Sequence, residues 1–284
     1  WESSSYAEDE IAMPWPHPHL HWDVLATVFV LAFGYAYSEL RLRPLVAPTA
    51  AAATRGQWIK WYVGVGFMFV VSSWPIHDIG ETALFSVHMV EHLVIVFLTA
   101  PLMLMGMPRW MADATIGRPA VARVLRPLVH PVPAFIILNV AMIAIHWPTV
   151  VELMLTSKLA HVAVHAGLFV AAFLAWMPVR SPTPALPRLR APGQMLYLFF
   201  HSILPTIPAS FLTFSSVALY PVYGDAALDW GVSPVTDQTV AGIIMKLGGG
   251  LILWTAIAVI WFRWVSEERD WERLEADLPS ASPM

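Results

Sequence analysis

Apolar residues fall into long unbroken runs along this chain, not into alternation with polar ones. The runs cover about 22–40, 58–74, 83–106, 132–147, 159–177, 194–214 and 240–262. Roughly 20 apolar residues suffice for a helix to cross about 30 Å of hydrocarbon. Runs two and four are the shortest. Backbone polar groups in lipid must be satisfied within the protein, and single runs of this length do so as helices. A barrel would need shorter, alternating segments. The pattern predicts an all-α, polytopic transmembrane bundle of seven spans.

Lys and Arg gather on alternate connections. Arg41, Arg43, Arg55 and Lys60 follow the first run, and Arg109, Arg118, Arg123 and Arg126 follow the third. Arg180, Arg188 and Arg190 follow the fifth, and Arg263, Arg269 and Arg273 the seventh. Lys158 and Lys246 break the pattern. The positive-inside rule then predicts an N-terminus outside and a cytoplasmic C-terminus, which requires an odd number of spans. The expected organisation is an extracytoplasmic segment 1–21, a membrane domain 22–263 and a cytoplasmic tail 264–284, the tail a short helix running into a disordered end. Gly248, Gly249 and Gly250 interrupt the last run, which predicts close helix packing or a local bend there.

Composition agrees with a membrane location. Hydrophobic residues make up 57% of the chain, charged residues 13%, and the mean hydropathy is +0.61. Soluble domains carry about twice that charged share. The absence of cysteine excludes disulfides, thiolate metal sites and cysteine nucleophiles. A net charge of −4 with no long basic run argues against nucleic acid as a partner. No serine is tied to a recognisable base, so no hydrolytic chemistry is expected. No pattern of a secretory signal precedes the first run, and none is expected in the chain.

The histidines change the picture. Nine of the eleven fall at the predicted outer side: His17, His19, His21, His77, His88, His92, His146, His161 and His165. Only His130 and His201 lie elsewhere. His88 and His92 are four residues apart, as are His161 and His165, so each pair shares a helix face. Both pairs fall at similar depth, and converging faces would bring up to four imidazoles around one ion or a close pair. His146 reaches the same level. Met89 and Met245 are nearby soft donors, and imidazole with thioether favours copper, Cu(I) especially. Zinc remains compatible. Glu91, Asp78 and Asp237 are expected to orient imidazoles by hydrogen bonding. Glu91 stands out because an ionisable group within a span is costly.

Plainer readings compete. An intramembrane histidine is ordinarily a polar contact between helices, and the His17–His21 run can be an interfacial segment alone. Met103, Met105 and Met107 read as packing. Trp58, Trp61, Trp74, Trp147 and Trp230 fit an interfacial aromatic belt. Lys246 has three open roles: pairing with Asp237, snorkelling outward, or lining a site.

With these residues in view, the chain resembles the polytopic CtaG family of cytochrome c oxidase assembly factors, over about residues 60 to 262. It does not resemble the single-span copper chaperone of the same name. The resemblance is carried by Ser86-Val87-His88-Met89-Val90-Glu91-His92-Leu93, then Ala100-Pro101-Leu102 and Gly106-Met107-Pro108. His146-Trp147-Pro148, the pair His161 and His165, Tyr220-Pro221-Val222-Tyr223, Asp237-Gln238, Ala241-Gly242 and Ile244-Met245 follow in the family's order. Many members carry Trp where this chain has Lys246.

The resemblance implies a non-enzymatic, copper-handling role in maturing a haem–copper cytochrome c oxidase, in a bacterial inner membrane. Implied partners are the oxidase subunits, a periplasmic copper carrier and the lipid bilayer. A bis-histidine haem b electron-transfer protein is the alternative, since histidines on facing helices can ligate haem. A structural or accessory subunit of a respiratory complex is a third reading. A transporter is disfavoured by the lack of inverted halves.

Overall fold

The computed structural model describes residues 15–276, with side chains as far as Trp271. Among the described residues all regular structure is helical. In chain order the elements are α1 (Trp22–Val46), α2 (Arg55–Val71), α3 (Ile76–Thr82), α4 (Phe85–Gly106), α5 (Arg109–Ala114), α6 (Pro119–Leu128), α7 (Pro131–Ile145), α8 (Pro148–Thr156), α9 (Lys158–Arg180), α10 (Ala191–Phe214) and α11 (Pro234–Trp271). Two 3₁₀ turns, Pro221–Tyr223 and Ala226–Trp230, link the last two.

Five helices are long and apolar enough to cross a membrane: α1, α4, α9, α10 and α11. They coincide with runs one, three, five, six and seven. The two shortest runs behave differently. α2 continues into α3 across a 44° bend, and α6 into α7 across a 69° bend. Counting each bent pair as one span gives up to seven. Proline explains both breaks, because Pro75 and Pro131 lack an N–H and restrict the residue before them. Residues 76–82 and 148–156, which carry too short an apolar pattern to register as spans, form short helices, and the first of them carries His77, Asp78 and Glu81.

α4 is the hub. It packs against α2, α3, α9 and α11. Its most apolar window is 72% buried within the protein, against 11% for α1, so α4 is central and α1 peripheral. Close approach to α2 depends on Gly106: a Cβ there would stand 2.6 Å from the backbone nitrogen of Trp61.

π-turns interrupt three long helices, at Ser38–Leu42, Ile95–Thr99 and Ile244–Gly248. Such turns free a carbonyl from the helical ladder. Within the second, the Val96 carbonyl accepts from Trp176 Nε1 at 2.9 Å, which ties α4 to α9. The glycine run in α11 resumes the helix after the third turn. A Cβ on Gly248 would meet Leu93 at 2.9 Å and one on Gly249 at 3.3 Å, so these two glycines let α11 lie against α4. The charged segment after 263, expected to form a short helix, continues α11. Residues 1–14 and 277–284, which include most of the N-terminal segment and the expected disordered end, lie outside the described residues.

Candidate metal centre at the histidine-rich end of the bundle

The site begins with how α4 starts. Four N–H groups at a helix N-terminus lack intrahelical partners. Asp237, on α11, partners the first two from another helix. Its carboxylate accepts from the Phe85 amide at 2.7 Å and the Ser86 amide at 3.2 Å, and from the Ser86 hydroxyl. One turn later come His88 and His92. Gly80 of α3 lies against the same turn, where a Cβ would stand 3.1 Å from the His88 nitrogen. Two tyrosines close the wall: Tyr223 donates to the Gly80 carbonyl and Tyr220 to the His146 carbonyl, each at 2.9 Å.

The imidazoles of His88 and His92 lie 4.3 Å apart, centre to centre, and His165 of α9 approaches them at 5.6 and 5.2 Å. One ring nitrogen from each falls within 4.8 Å of the other two. His88 and His92 are 1% and 2% exposed. His88 Nδ1, both nitrogens of His92, and His165 Nε2 have no hydrogen-bond partner. Each unsatisfied buried polar atom costs about 1–3 kcal/mol. Four on three facing rings is a large penalty unless something binds them together. Neutral imidazole offers one lone pair, and three lone pairs around one point are a ligand set for a borderline or soft ion.

Met89 and His146 extend this set. His146 Nδ1 bonds the Met142 carbonyl, which can only accept, so the proton sits on Nδ1. Nε2 is then a lone pair, and it faces the Met89 sulfur at 3.2 Å. The His146 ring lies 6.1 Å from His92.

The expected four-imidazole cluster is divided. His161 stacks on His165 at 4.3 Å, yet its Nδ1 lies 2.8 Å from Glu81 of α3. His77 Nε2 reaches the same carboxylate at 3.2 Å. A helix rises about 5.4 Å per turn, so the two members of an i,i+4 pair meet different neighbours. Glu91 joins the two groups. It binds His77 Nδ1 at 3.0 Å and Ser72 Oγ at 3.0 Å, and lies 3.8 Å from His165 Nδ1. A cavity of about 250 Å³ opens beside Glu91, His77, His161 and His165.

The remaining expected residues separate. Asp78 contacts imidazoles, but those of His19 and His21, at 3.0 and 3.1 Å. Asp237 contacts backbone, not a ring; it positions the helix that carries the histidines. Met245 is buried in the same apolar cluster as Met89, within the π-turn of α11. Lys246 is exposed, and Asp237 is engaged elsewhere. His201 lies apart, 3.2 Å from Asn139 Nδ2. Sequence reasoning did not foresee Glu81, Gly80 or the two tyrosines as parts of the site. Glu81 is the one with a signal: it stands at i+4 from His77, across a helical turn.

At the opposite end, Glu39 is buried and holds three elements. It pairs with Arg43 at 3.1 Å, and accepts from the Ala53 amide and Trp110 Nε1, each at 2.7 Å.

The chain matches two mycobacterial proteins at 25% identity over 261 residues, "Uncharacterized protein Mb0105" of Mycobacterium bovis and "Uncharacterized protein MT0111" of Mycobacterium tuberculosis. The alignment covers 84% of this chain and 38% of each relative, so the chain spans less than half of their length. No solved structure matches it. The pattern of the cytochrome c oxidase caa3 assembly factors matches residues 31–267, which takes in the later part of α1 and the helices that carry His77, His88, His92, His161 and His165. The chain belongs to the cytochrome c oxidase caa3 assembly factor (Caa3_CtaG) family.

Proposed function

We propose that this protein holds copper for the maturation of a haem–copper oxidase, in a bacterial inner membrane, without itself catalysing a reaction. His88, His92 and His165 form the holding site, with Met89 and His146 as a softer flank. The observation that carries this reading is the convergence of two buried rings and a half-buried one, with four nitrogens among them that have no hydrogen-bond partner in the protein. The family's role in oxidase assembly supplies the client. Thioether beside imidazole favours copper over hard cations.

The Lys and Arg bias supports seven spans with the histidine-rich end outward. A site there is reachable by a periplasmic carrier, and exchange of cargo demands such access. A cavity bordered by Glu91 and His165, beside the rings, is consistent with such access.

The test is oxidase maturation in cells. Cells lacking the protein, complemented with His92→Ala, should make oxidase subunits that are under-loaded with copper. Added copper should restore them in part. Full copper loading by the variant would contradict the reading. A Soret band in the pure wild-type protein would replace it with the haem alternative.

A further inference from the structure

A separate group of ligands lies at the protein surface. His19 Nε2 and His21 Nε2 stand 3.0 and 3.1 Å from the two carboxylate oxygens of Asp78. The three donor atoms fall within 4.8 Å of one another. The His19 side chain is 55% exposed, while Asp78 is buried. The segment that carries the histidines is fastened without them. Trp74 Nε1 donates to the Pro16 carbonyl at 2.9 Å, and Trp15 packs edge-on against Trp230 at 5.6 Å. Two imidazoles on a buried carboxylate are therefore not needed to dock this segment. They form a preorganised, solvent-facing set, and imidazole with carboxylate suits a divalent borderline ion such as Cu²⁺ or Zn²⁺.

The rings then continue inward. His21 lies 4.9 Å from His77, and His77 lies 5.2 Å from His161. His77, Glu81 and His161 are themselves a compact donor group. His161 stacks on His165, a member of the buried triad. Each group shares a ring contact with the next.

The geometry points to a surface metal site at His19, His21 and Asp78 that takes an ion from solution and feeds it by ligand exchange, through His77, Glu81 and His161, to the buried triad. The ion changes partners at each step and keeps its charge. The surface site stands on its own contacts; its role as a feeder rests on the copper-holding reading above.

Cu²⁺ added to the metal-stripped, purified full chain tests both parts. The His19→Ala/His21→Ala variant should bind one ion fewer per chain. Because a charged, preorganised entry raises capture rates, it should fill the buried triad roughly tenfold more slowly. Asp78→Asn, which keeps the side-chain volume, should give the same slowing. A His88→Ala/His92→Ala variant keeps the surface ligands and separates the two claims. Copper bound by that variant, and lost when His19 and His21 are also replaced, supports the surface site even if the triad binds nothing. Equal stoichiometry and equal filling rates in wild type and His19→Ala/His21→Ala would overturn the proposal.

Discussion

The Nε2 atom of His146 faces the sulfur of Met89 across 3.2 Å, with the other ring nitrogen bound to the Met142 carbonyl. That arrangement turns two acceptors toward each other. It costs free energy in a protein with nothing between them, and it suits a soft ion that accepts from both. Met89→Leu conserves volume, so its stability cost should stay under about 1.5 kcal/mol. Cu(I) affinity should fall roughly tenfold while Zn²⁺ affinity holds, as read by chelator competition. Equal losses for both ions would remove Met89 from the site.

Asp237 acts on the backbone of α4, and Asp237→Asn tests that role. The amide side chain retains one acceptor for the two amides and the hydroxyl that the carboxylate now serves. Loss of a charged acceptor from a buried helix start should lower stability by about 1–3 kcal/mol. Thermal unfolding in detergent measures it. An unchanged transition would mean that the cap is dispensable.

Lys246 gives the opposite expectation. It is exposed, one residue beyond the buried Met245. Lys246→Trp, the residue found in many members of the family, should leave copper retention unaltered and stability within about 0.5 kcal/mol. A change in copper content would place this position in the site after all.

Gly80 separates the packing of the site from its ligands. In Gly80→Ala the new Cβ meets the His88 nitrogen at 3.1 Å and its Cα at 3.2 Å, both backbone atoms that give way poorly. Overpacking of this kind costs about 1–3 kcal/mol. The displacement should weaken copper binding although every donor remains. Copper titration of the folded variant checks this, and unchanged affinity would mean that α3 can shift without moving His88.

Much of the fold was written in the apolar runs. Five of them coincide with helices long and apolar enough to span on their own, because a run of that length has no other way to satisfy its backbone in lipid. The two shortest carried less information, since the chain bends at Pro75, where the second run ends, and at Pro131, where the fourth begins. The pairing of His88 with His92 followed from helical periodicity. The division of His161 from His165 did not, because it depends on how deeply α9 sits against α3 and α4. Asp237 and the two tyrosines stood out in the sequence, but their roles did not, for a related reason. They act on main-chain groups of distant segments, and main-chain demand leaves no mark on residue spacing.

The central claim is that His88, His92 and His165 share one copper ion, and metal content tests it most directly. Purified wild-type protein, loaded with copper and passed through a weak chelator, should retain copper that the His88→Ala/His165→Ala variant mostly loses, with both proteins folded. Equal copper in the two, or none in the wild type, would contradict the account.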